Sequence, residues 1–459
     1  MCSSDLAIPF RNLSFDPARD DWGFDIMRKI QRKAELSRWG RFPLGTFMND
    51  LTLEGSITGL HDLNQGSGLD VQVYGGIRYK HQSAGTDDND YQARGSVNAY
   101  YKITPGLTGT LTANTDFSDA PLDRRQVNTT RFSLFEEETR AFFLQDSASF
   151  EFGGRNFGNG EQNGRAFFSR NIGLVQGRPV PIIGGGKLSG AYDDIGIGAL
   201  TVLTDGTDTT DPQVLSVARA TVPLFGDNKL GIMATNGDPT GASKNTLWGA
   251  DLQVRRNNVL GNGNRFYADF FFERSLSSTL GNDNAWGGSV LFPNEPLAAE
   301  IHFKDIGPDF APALGFVNRQ DIRDTHGKLT YRERLDDSYF RWIEAEGGAA
   351  YVAGLGDHKM LSREESGSLA AYTSDGDEFT IKVLRTFEAP LKRFRLPGGI
   401  QVNPGSYIWS HVDTRLQTSY ARSLAVTLDV DCCAYYDGRY FKSDLSLDRS
   451  EEHTSELQS

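Results

Sequence analysis

Charged side chains that could take part in acid–base chemistry are concentrated in residues 114–153. Glu136, Glu137 and Glu138 stand just before Arg140, and a carboxylate held beside a guanidinium can serve as a general acid or base. A structural network of ion pairs is the alternative interpretation, and we favour it. The candidate network consists of polar and aromatic residues of this stretch and one later arginine: Asp116, Asp123, Arg124, Asn128, Arg131, Glu138, Arg140, Phe142, Phe143 and Arg170.

Motifs for metals, cofactors and phosphates give little support for other chemistry. The chain has no H-E-x-x-H, C-x-x-C or EF-hand pattern, so we expect neither a metal nor a cofactor. Asp205, Asp208 and Asp211 could supply oxygen ligands to Ca²⁺ but lack the spacing of a calcium loop, and a solvated loop is the interpretation we prefer. Residues 181–186 lack the Lys-Ser/Thr of a phosphate-binding loop and predict the start of a strand. Cys432 and Cys433 are neighbours that we do not expect to bond to each other.

The stretch that carries the candidate residues differs from the rest of the chain. Residues 114–153 show neither the period of 2 that indicates a strand nor the period of 3.6 that indicates a helix. They also contain seven Phe residues, whereas disordered segments are poor in aromatic residues. We therefore predict an ordered insertion that fills a space inside the fold.

The elements that position this insertion read as β-strands. Apolar and polar residues alternate in residues 69–80 and 107–114, and similar runs with turn sequences between them recur to residue 447. No window holds 18 apolar residues, which excludes a transmembrane helix. The net charge of −13 argues against nucleic acid as a partner, because phosphate binding needs a basic face.

Two patterns favour a membrane barrel over a soluble sandwich. Short turns at residues 193–194 and 375–377 contrast with long polar loops at 205–212 and 236–245, and outer-membrane barrels have short turns at one end and long loops at the other. The polar positions of many strands are charged, as a wet lumen allows. We predict an all-β fold, a large antiparallel outer-membrane-type barrel of about 14 to 18 strands with residues 114–183 as a plug-like insertion.

Four long motifs carry a resemblance to a known family. They are D-F-S-D-A-P-L-D-R-R-Q-V-N-T-T-R-F-S-L-F-E-E-E-T-R-A-F-F-L from Asp116, F-F-S-R-N-I-G-L from Phe167, P-I-I-G-G-G-K-L-S-G from Pro181 and P-D-F-A-P-A-L-G-F-V-N-R-Q-D from Pro308. The chain resembles a family of bacterial outer-membrane barrels of unknown function whose barrel follows a family-9 carbohydrate-binding-like β-sandwich. The resemblance covers nearly all of residues 7–448. It implies a fold and a location in the outer membrane, and it implies no reaction.

The resemblance divides the chain into segments. Residues 7–50 resemble the end of the β-sandwich, residues 51–68 read as a linker, and residues 69–448 form the predicted barrel. Residues 1–6 and 449–459 look like translated sequencing adapter, and we expect them to be artefacts. One departure from the family pattern is Gln145, which stands where an acidic residue is expected.

Three functions are compatible with these expectations. The first is passage or uptake of a polar solute, including a carbohydrate, controlled by the insertion. The second is a hydrolase hosted by the barrel, with Glu138 and Arg140 as its polar groups. The third is a structural or surface-anchoring role. The expected partners are outer-membrane lipid, a polar solute and the barrel assembly machinery.

Overall fold

The computed structural model describes most of the chain. The described residues are 8, 10, 13, 15, 19–30, 35–40, 54–63, 68–82, 88–115, 128, 130–154, 162–175, 178–207, 210–259, 261, 263–336 and 338–449. Among them, none of the helices is long and apolar enough to cross a membrane.

Strands dominate the described residues, and four short helical segments accompany them. The helical segments are α1 (Ala141–Leu144) and the 3₁₀ turns Ser147–Phe150, Ser169–Asn171 and Pro397–Gly399. The strands are β1 (Asp21–Phe24), β2 (Met27–Ile30), β3 (Glu35–Arg38), β4 (Gly55–Thr58), β5 (Leu69–Gln82), β6 (Asp88–Thr104), β7 (Leu107–Thr115), β8 (Leu174–Val175), β9 (Arg178–Pro179), β10 (Ile182–Tyr192), β11 (Ile195–Thr204), β12 (Gln213–Pro223), β13 (Lys229–Asn236), β14 (Asn245–Val259), β15 (Asn264–Ser277), β16 (Gly281–Pro293), β17 (Leu297–Ile306), β18 (Ile322–Arg334), β19 (Phe340–Gly354), β20 (Met360–Thr373), β21 (Glu378–Glu388), β22 (Phe394–Arg395), β23 (Gln401–Val402), β24 (Tyr407–Gln417), β25 (Leu424–Tyr435) and β26 (Gly438–Arg449).

Eighteen of these strands form one antiparallel sheet. Their order follows the chain, from β5 to β7, then β10 to β21, then β24 to β26, and neighbours in the chain are neighbours in the sheet. This confirms the all-β prediction and gives a strand number at the top of the expected range. The glycine-rich residues 181–186 belong largely to β10, as expected for the start of a strand.

The two faces of the sheet differ in chemistry because side chains alternate along each strand. On one face, which we call the apolar face, large aliphatic side chains are more than half exposed, among them Val73, Leu111, Ile232, Ile301 and Leu369. The other face, which we call the polar face, carries buried charged residues from β12, β14, β15 and β17. These are Arg219, Asp251, Asp269, Glu273 and Lys304.

The five longest connections of the sheet lie at one of its two ends. Residues 105–106, 193–194, 294–296 and 374–377 are short turns at one end, which we call the short-turn end. The opposite end, which we call the long-loop end, carries residues 116–181, 205–212, 237–244, 307–321 and 389–406. Asp193 adopts a left-handed φ of 50°, which a tight two-residue hairpin requires and which Asp tolerates better than most residues.

The insertion leaves the sheet at Thr115 and returns at Ile182, which are paired in the register of β7 and β10. Its described residues include α1, two of the 3₁₀ turns and the short pair β8 and β9. Its aromatic side chains pack on the polar face at apolar positions of β10 to β12. The buried cluster contains Phe142, Phe143, Phe150, Ile172, Ile182, Leu200, Val202, Leu215, Val217 and Leu314.

The N-terminal residues form two small paired sheets, β1 with β4 and β2 with β3. Residues 7–15 stand at the start of the segment that resembles the end of a β-sandwich, and none of their described residues is in a strand. This segment contacts the short-turn end of the large sheet, where Lys102 donates to the carbonyl oxygen of Leu13. Lys29 also lies 5.9 Å from the ring centre of Tyr420.

One expectation about cysteines is also wrong. Cys432 and Cys433 are joined by a disulfide within β25, although adjacent cysteines were expected to stay unbonded. Cys432 and Cys433 are the only cysteines among the described residues, so neither has another described cysteine with which it could form a disulfide.

Candidate functional site

Glu138 and Arg140 form a bidentate ion pair inside the insertion. Nε of Arg140 donates to Oε1 of Glu138 over 2.8 Å, and Nη2 donates to Oε2 over 2.6 Å. The same guanidinium donates to the carbonyl oxygens of Ile172 and Ser169 over 2.6 and 2.7 Å. It therefore ties the start of α1 to a segment about thirty residues further along the chain, and it also lies 4.2 Å from the ring centre of Phe143.

The carboxylate of Glu138 is saturated with donors. Besides Arg140, it accepts hydrogen bonds from the Ser169 hydroxyl and from the backbone N–H groups of Thr139 and Arg140 itself. Burial raises the pKa of Glu138, but the hydrogen bonds and charge of Arg140 together with the Ser169 hydroxyl outweigh burial and hold that pKa below its ordinary value. A carboxylate held ionised in this way functions as a structural anion.

The other described candidates also make structural contacts. Arg131 is 3.0 Å from Glu388 at the long-loop end of β21. The Asn128 side chain closes a local turn by donating to the carbonyl oxygen of Phe132 over 2.7 Å. Arg170 donates to the carbonyl oxygen of Glu137 over 3.0 Å. Three candidates, Asp116, Asp123 and Arg124, lie outside the described residues.

Two side chains of β10 attach the insertion to the sheet. Lys187 is only 4% exposed, and its Nζ donates to the carbonyl oxygens of Phe142 and Gln145 over 2.8 and 2.6 Å. The hydroxyl of Ser189 donates to the carboxylate of Asp146 over 2.8 Å. A cation at the C-terminal end of α1 matches the carbonyl oxygens that a helix leaves unpaired there.

Further along, the insertion passes very close to β14 and β15. Gly154 has a φ of 88°, and a Cβ at this position would lie 2.3 Å from Cγ of Asp269. Phe152 lies beneath the guanidinium of Arg219, 5.2 Å from ring centre to Cζ. Arg219 is itself paired with Asp251 through two hydrogen bonds of 2.7 and 2.9 Å. Only a residue without a side chain fits where the backbone approaches the carboxylate so closely.

A second segment, residues 307–321 between β17 and β18, packs against the insertion. The backbones of Arg165 and Phe316 form a β-bridge. Nδ2 of Asn171 donates to the carbonyl oxygens of Ala313 and Gly315 over 3.1 and 2.6 Å. The side chain of Asn163 bonds to the backbone of residues 318 and 319 on both its amide and its carbonyl sides. The two segments therefore form one hydrogen-bonded body on the polar face.

A cavity of about 390 Å³ lies between the insertion and the sheet. Aromatic rings of the insertion, among them Phe135, Phe143 and Phe152, form much of its lining, and Glu138 and Glu273 contribute carboxyl groups. Glu273 is 1% exposed and its Oε2 has no hydrogen-bond partner among the described residues. The carboxyl group of Glu138 is already paired with Arg140, so of these two acids only Glu273 has a buried oxygen without a partner among the described residues.

The sequence alone missed the residues that connect these bodies. Lys187, Asn163 and Asn171 stand in runs where nothing distinguishes them from other polar residues. The segment 307–321 had one signal, because its alternation breaks off between two clear strands just as it does in residues 114–153.

No family model matches this chain, and no curated protein matches it either. The resemblance to outer-membrane barrels therefore stays a prediction.

Proposed function

We propose that this chain is a bacterial outer-membrane β-barrel through which a polar solute passes, with the insertion as the plug that controls passage. In this proposal β26 pairs with β5 and closes the sheet. Two features support closure: the strand order brings the first and last strands of the sheet together, and both run in the directions that antiparallel pairing requires.

The observation that carries the proposal is the contrast between the two faces of the sheet. Soluble antiparallel sheets bury their apolar face and expose the polar one. Here the aliphatic face is exposed, with Val73 73% and Ile77 81% accessible, whereas charged residues such as Asp269 and Glu273 are almost fully buried. A lipid-facing wall around a polar interior accounts for both.

The ends of the sheet support an orientation. Periplasmic turns of outer-membrane barrels are short and outer loops are long, so the short-turn end faces the periplasm. The N-terminal segment contacts that end through Lys102 and Lys29. The insertion and residues 307–321 both start from the long-loop end and fold back onto the polar face.

A solute can pass only if there is room beside the insertion or if the insertion moves. The insertion covers the polar face of β10 to β18, where most inward positions are buried, whereas the polar face of β24 and β25 is mostly half-buried and that of β26 is exposed, as at Asp444. An interior of this kind suits a hydrophilic solute, and a carbohydrate is the class that the resemblance suggests.

Location is tested first. The full chain with a signal peptide should fractionate with the outer membrane and migrate differently on gels before and after heating. Recovery of intact, folded protein from the soluble periplasm would contradict the barrel.

The plug is tested by a deletion that the register makes possible. Since Thr115 and Ile182 are paired, residues 116–181 can be replaced by a two-residue turn without changing the strands. We expect higher conductance in planar bilayers than for the intact protein. The matched control shortens residues 205–212, which also join paired residues, Thr204 and Gln213, and should leave conductance unchanged.

A disulfide tether tests the plug even if the deletion variant does not assemble. Asp146→Cys with Ser189→Cys links the insertion to β10 at an existing contact. If the insertion moves during passage, solute uptake by liposomes falls on oxidation and returns on reduction. If neither the deletion changes conductance nor the tether changes solute uptake, the insertion is not a plug.

The hydrolase alternative gains no specific support from this geometry. The groups expected to act, Glu138 and Arg140, are bonded to each other and to the surrounding backbone. The anchoring role likewise stays a prediction.

A further inference from the structure

Three metal-ligating side chains meet on the polar face of β24 and β25. His411 and Asp413 are two positions apart on β24, so they point to the same face. Asp431 stands directly opposite Asp413 in the register. One ligand atom from each of the three lies within 4.8 Å of the others.

Each of the three side chains has one polar atom without a hydrogen-bond partner among the described residues. Nδ1 of His411, Oδ1 of Asp413 and Oδ1 of Asp431 are shielded from solvent and have no hydrogen bond within the described part of the chain. Like charges directly opposite each other on a sheet are destabilising, and buried polar atoms without partners are uncommon. Something that attracts both carboxylates is required between them.

Neighbouring lysines do not meet this requirement. Lys382 stands opposite Asp413, and Lys442 stands opposite Asp431, yet no ion pair within 4.0 Å joins either lysine to this pair among the described residues. The next row of the same strands behaves differently, because Arg415 binds Asp429 through two hydrogen bonds of 2.7 and 3.1 Å. Asp429 therefore has a cationic partner on the neighbouring strand, whereas neither Asp413 nor Asp431 forms an ion pair with a lysine within the described part of the chain.

We propose that His411, Asp413 and Asp431 bind a divalent transition-metal cation such as Zn²⁺. One imidazole nitrogen and two carboxylate oxygens are a donor set that suits Zn²⁺, whereas Ca²⁺ and Mg²⁺ prefer oxygen alone. Three protein ligands leave coordination positions open. Asp413 and Asp431 also line a cavity of about 350 Å³ together with both lysines, so water or a solute at the two carboxylates can complete the coordination.

This proposal does not depend on the proposed transport function, because the ligands lie on paired strands whatever surrounds the sheet. The test uses the full chain, folded in detergent and kept non-reducing, and measures Zn²⁺ binding by competition with a chromogenic chelator. We expect one high-affinity Zn²⁺ per chain. Asp431→Asn and His411→Gln should each weaken Zn²⁺ binding by at least about 10-fold. Removal of a residue that only holds a metal ligand in place already costs about 10-fold to 100-fold in metal affinity.

The matched control is Asp429→Asn, which removes a carboxylate from the same face of the same strand, two positions from Asp431. It should keep the affinity of the unaltered protein, and Ca²⁺ should not compete. A second control, Cys432→Ser with Cys433→Ser, excludes binding by thiols and should also keep the affinity. Three outcomes overturn the proposal: no binding, equal loss in Asp429→Asn, or loss in the cysteine variant.

Discussion

Replacing Arg140 by Met gives the most direct test of how the insertion is held. The change keeps the size of an unbranched side chain but removes a guanidinium that donates to Glu138, Ser169 and Ile172. Both partners of the ion pair are about 90% buried, with side chains 10% and 12% exposed. The carboxylate of Glu138 and two carbonyl oxygens would then lose their charged donor away from water.

The expected cost follows from these contacts. Breaking a buried ion pair by removing one partner costs about 3–5 kcal/mol. Glu138 would keep three neutral donors, the Ser169 hydroxyl and the backbone N–H groups of residues 139 and 140, so we take the lower limit of about 3 kcal/mol. Since each 1.4 kcal/mol is a factor of ten, local opening of the insertion should become about 150-fold more frequent.

Hydrogen exchange measures this opening directly. The N–H groups of Phe143, Leu144 and Gln145 donate to the carbonyl oxygens of residues 140 and 141, so their exchange should accelerate by about the same factor. Arg415→Met is the control, because it breaks an ion pair whose side chains are 49% and 42% exposed and which is worth about 0–1 kcal/mol. Acceleration of less than about threefold in Arg140→Met would refute the assigned role of the ion pair.

Three further predictions concern the same insertion. Gly154→Ala places a Cβ 2.3 Å from Asp269, whereas Gly226→Ala has a similar positive φ but meets nothing within 4 Å. The free energy of unfolding, measured by protease resistance, should fall by about 1–3 kcal/mol more in the first variant than in the second. Equal losses would contradict the close approach. Lys187→Met removes the donor to two carbonyl oxygens of the insertion and should destabilise the fold by about 1–3 kcal/mol in urea unfolding, so an unchanged midpoint would contradict this anchor. The lowered pKa of Glu138 means that its carboxylate stabilises the insertion above its unfolded-state value of about 4.3 and that this stabilisation is lost as the pH falls through the folded-state pKa. The ratio of exchange rates between the unaltered protein and Glu138→Gln should therefore rise on acidification, and a ratio independent of pH would contradict the assignment.

Particular residues show which contacts of the site the sequence pattern could suggest and which it could not. Glu138 and Arg140 are close in sequence and their ion pair is local, so a charge pattern can suggest such a pair without choosing among Glu136, Glu137 and Glu138. Lys187, Asn163 and Asn171 bind backbone carbonyl and N–H groups of distant segments, and a backbone group has no signature in the sequence. The pairing of Asp413 with Asp431 depends on the register of β24 and β25, which alternation alone does not fix.

The sequence by itself determined the class of the fold and the unusual status of the insertion. Alternation with a period of 2 is a local property, because it follows from the geometry of each strand, and the absence of any period in residues 114–153 is local as well. The tertiary structure decided which segments meet: the insertion with residues 307–321, Gly154 with Asp269, and His411 with Asp431. Contacts of this kind depend on strand order and register, which arise only when all eighteen strands of the sheet are paired.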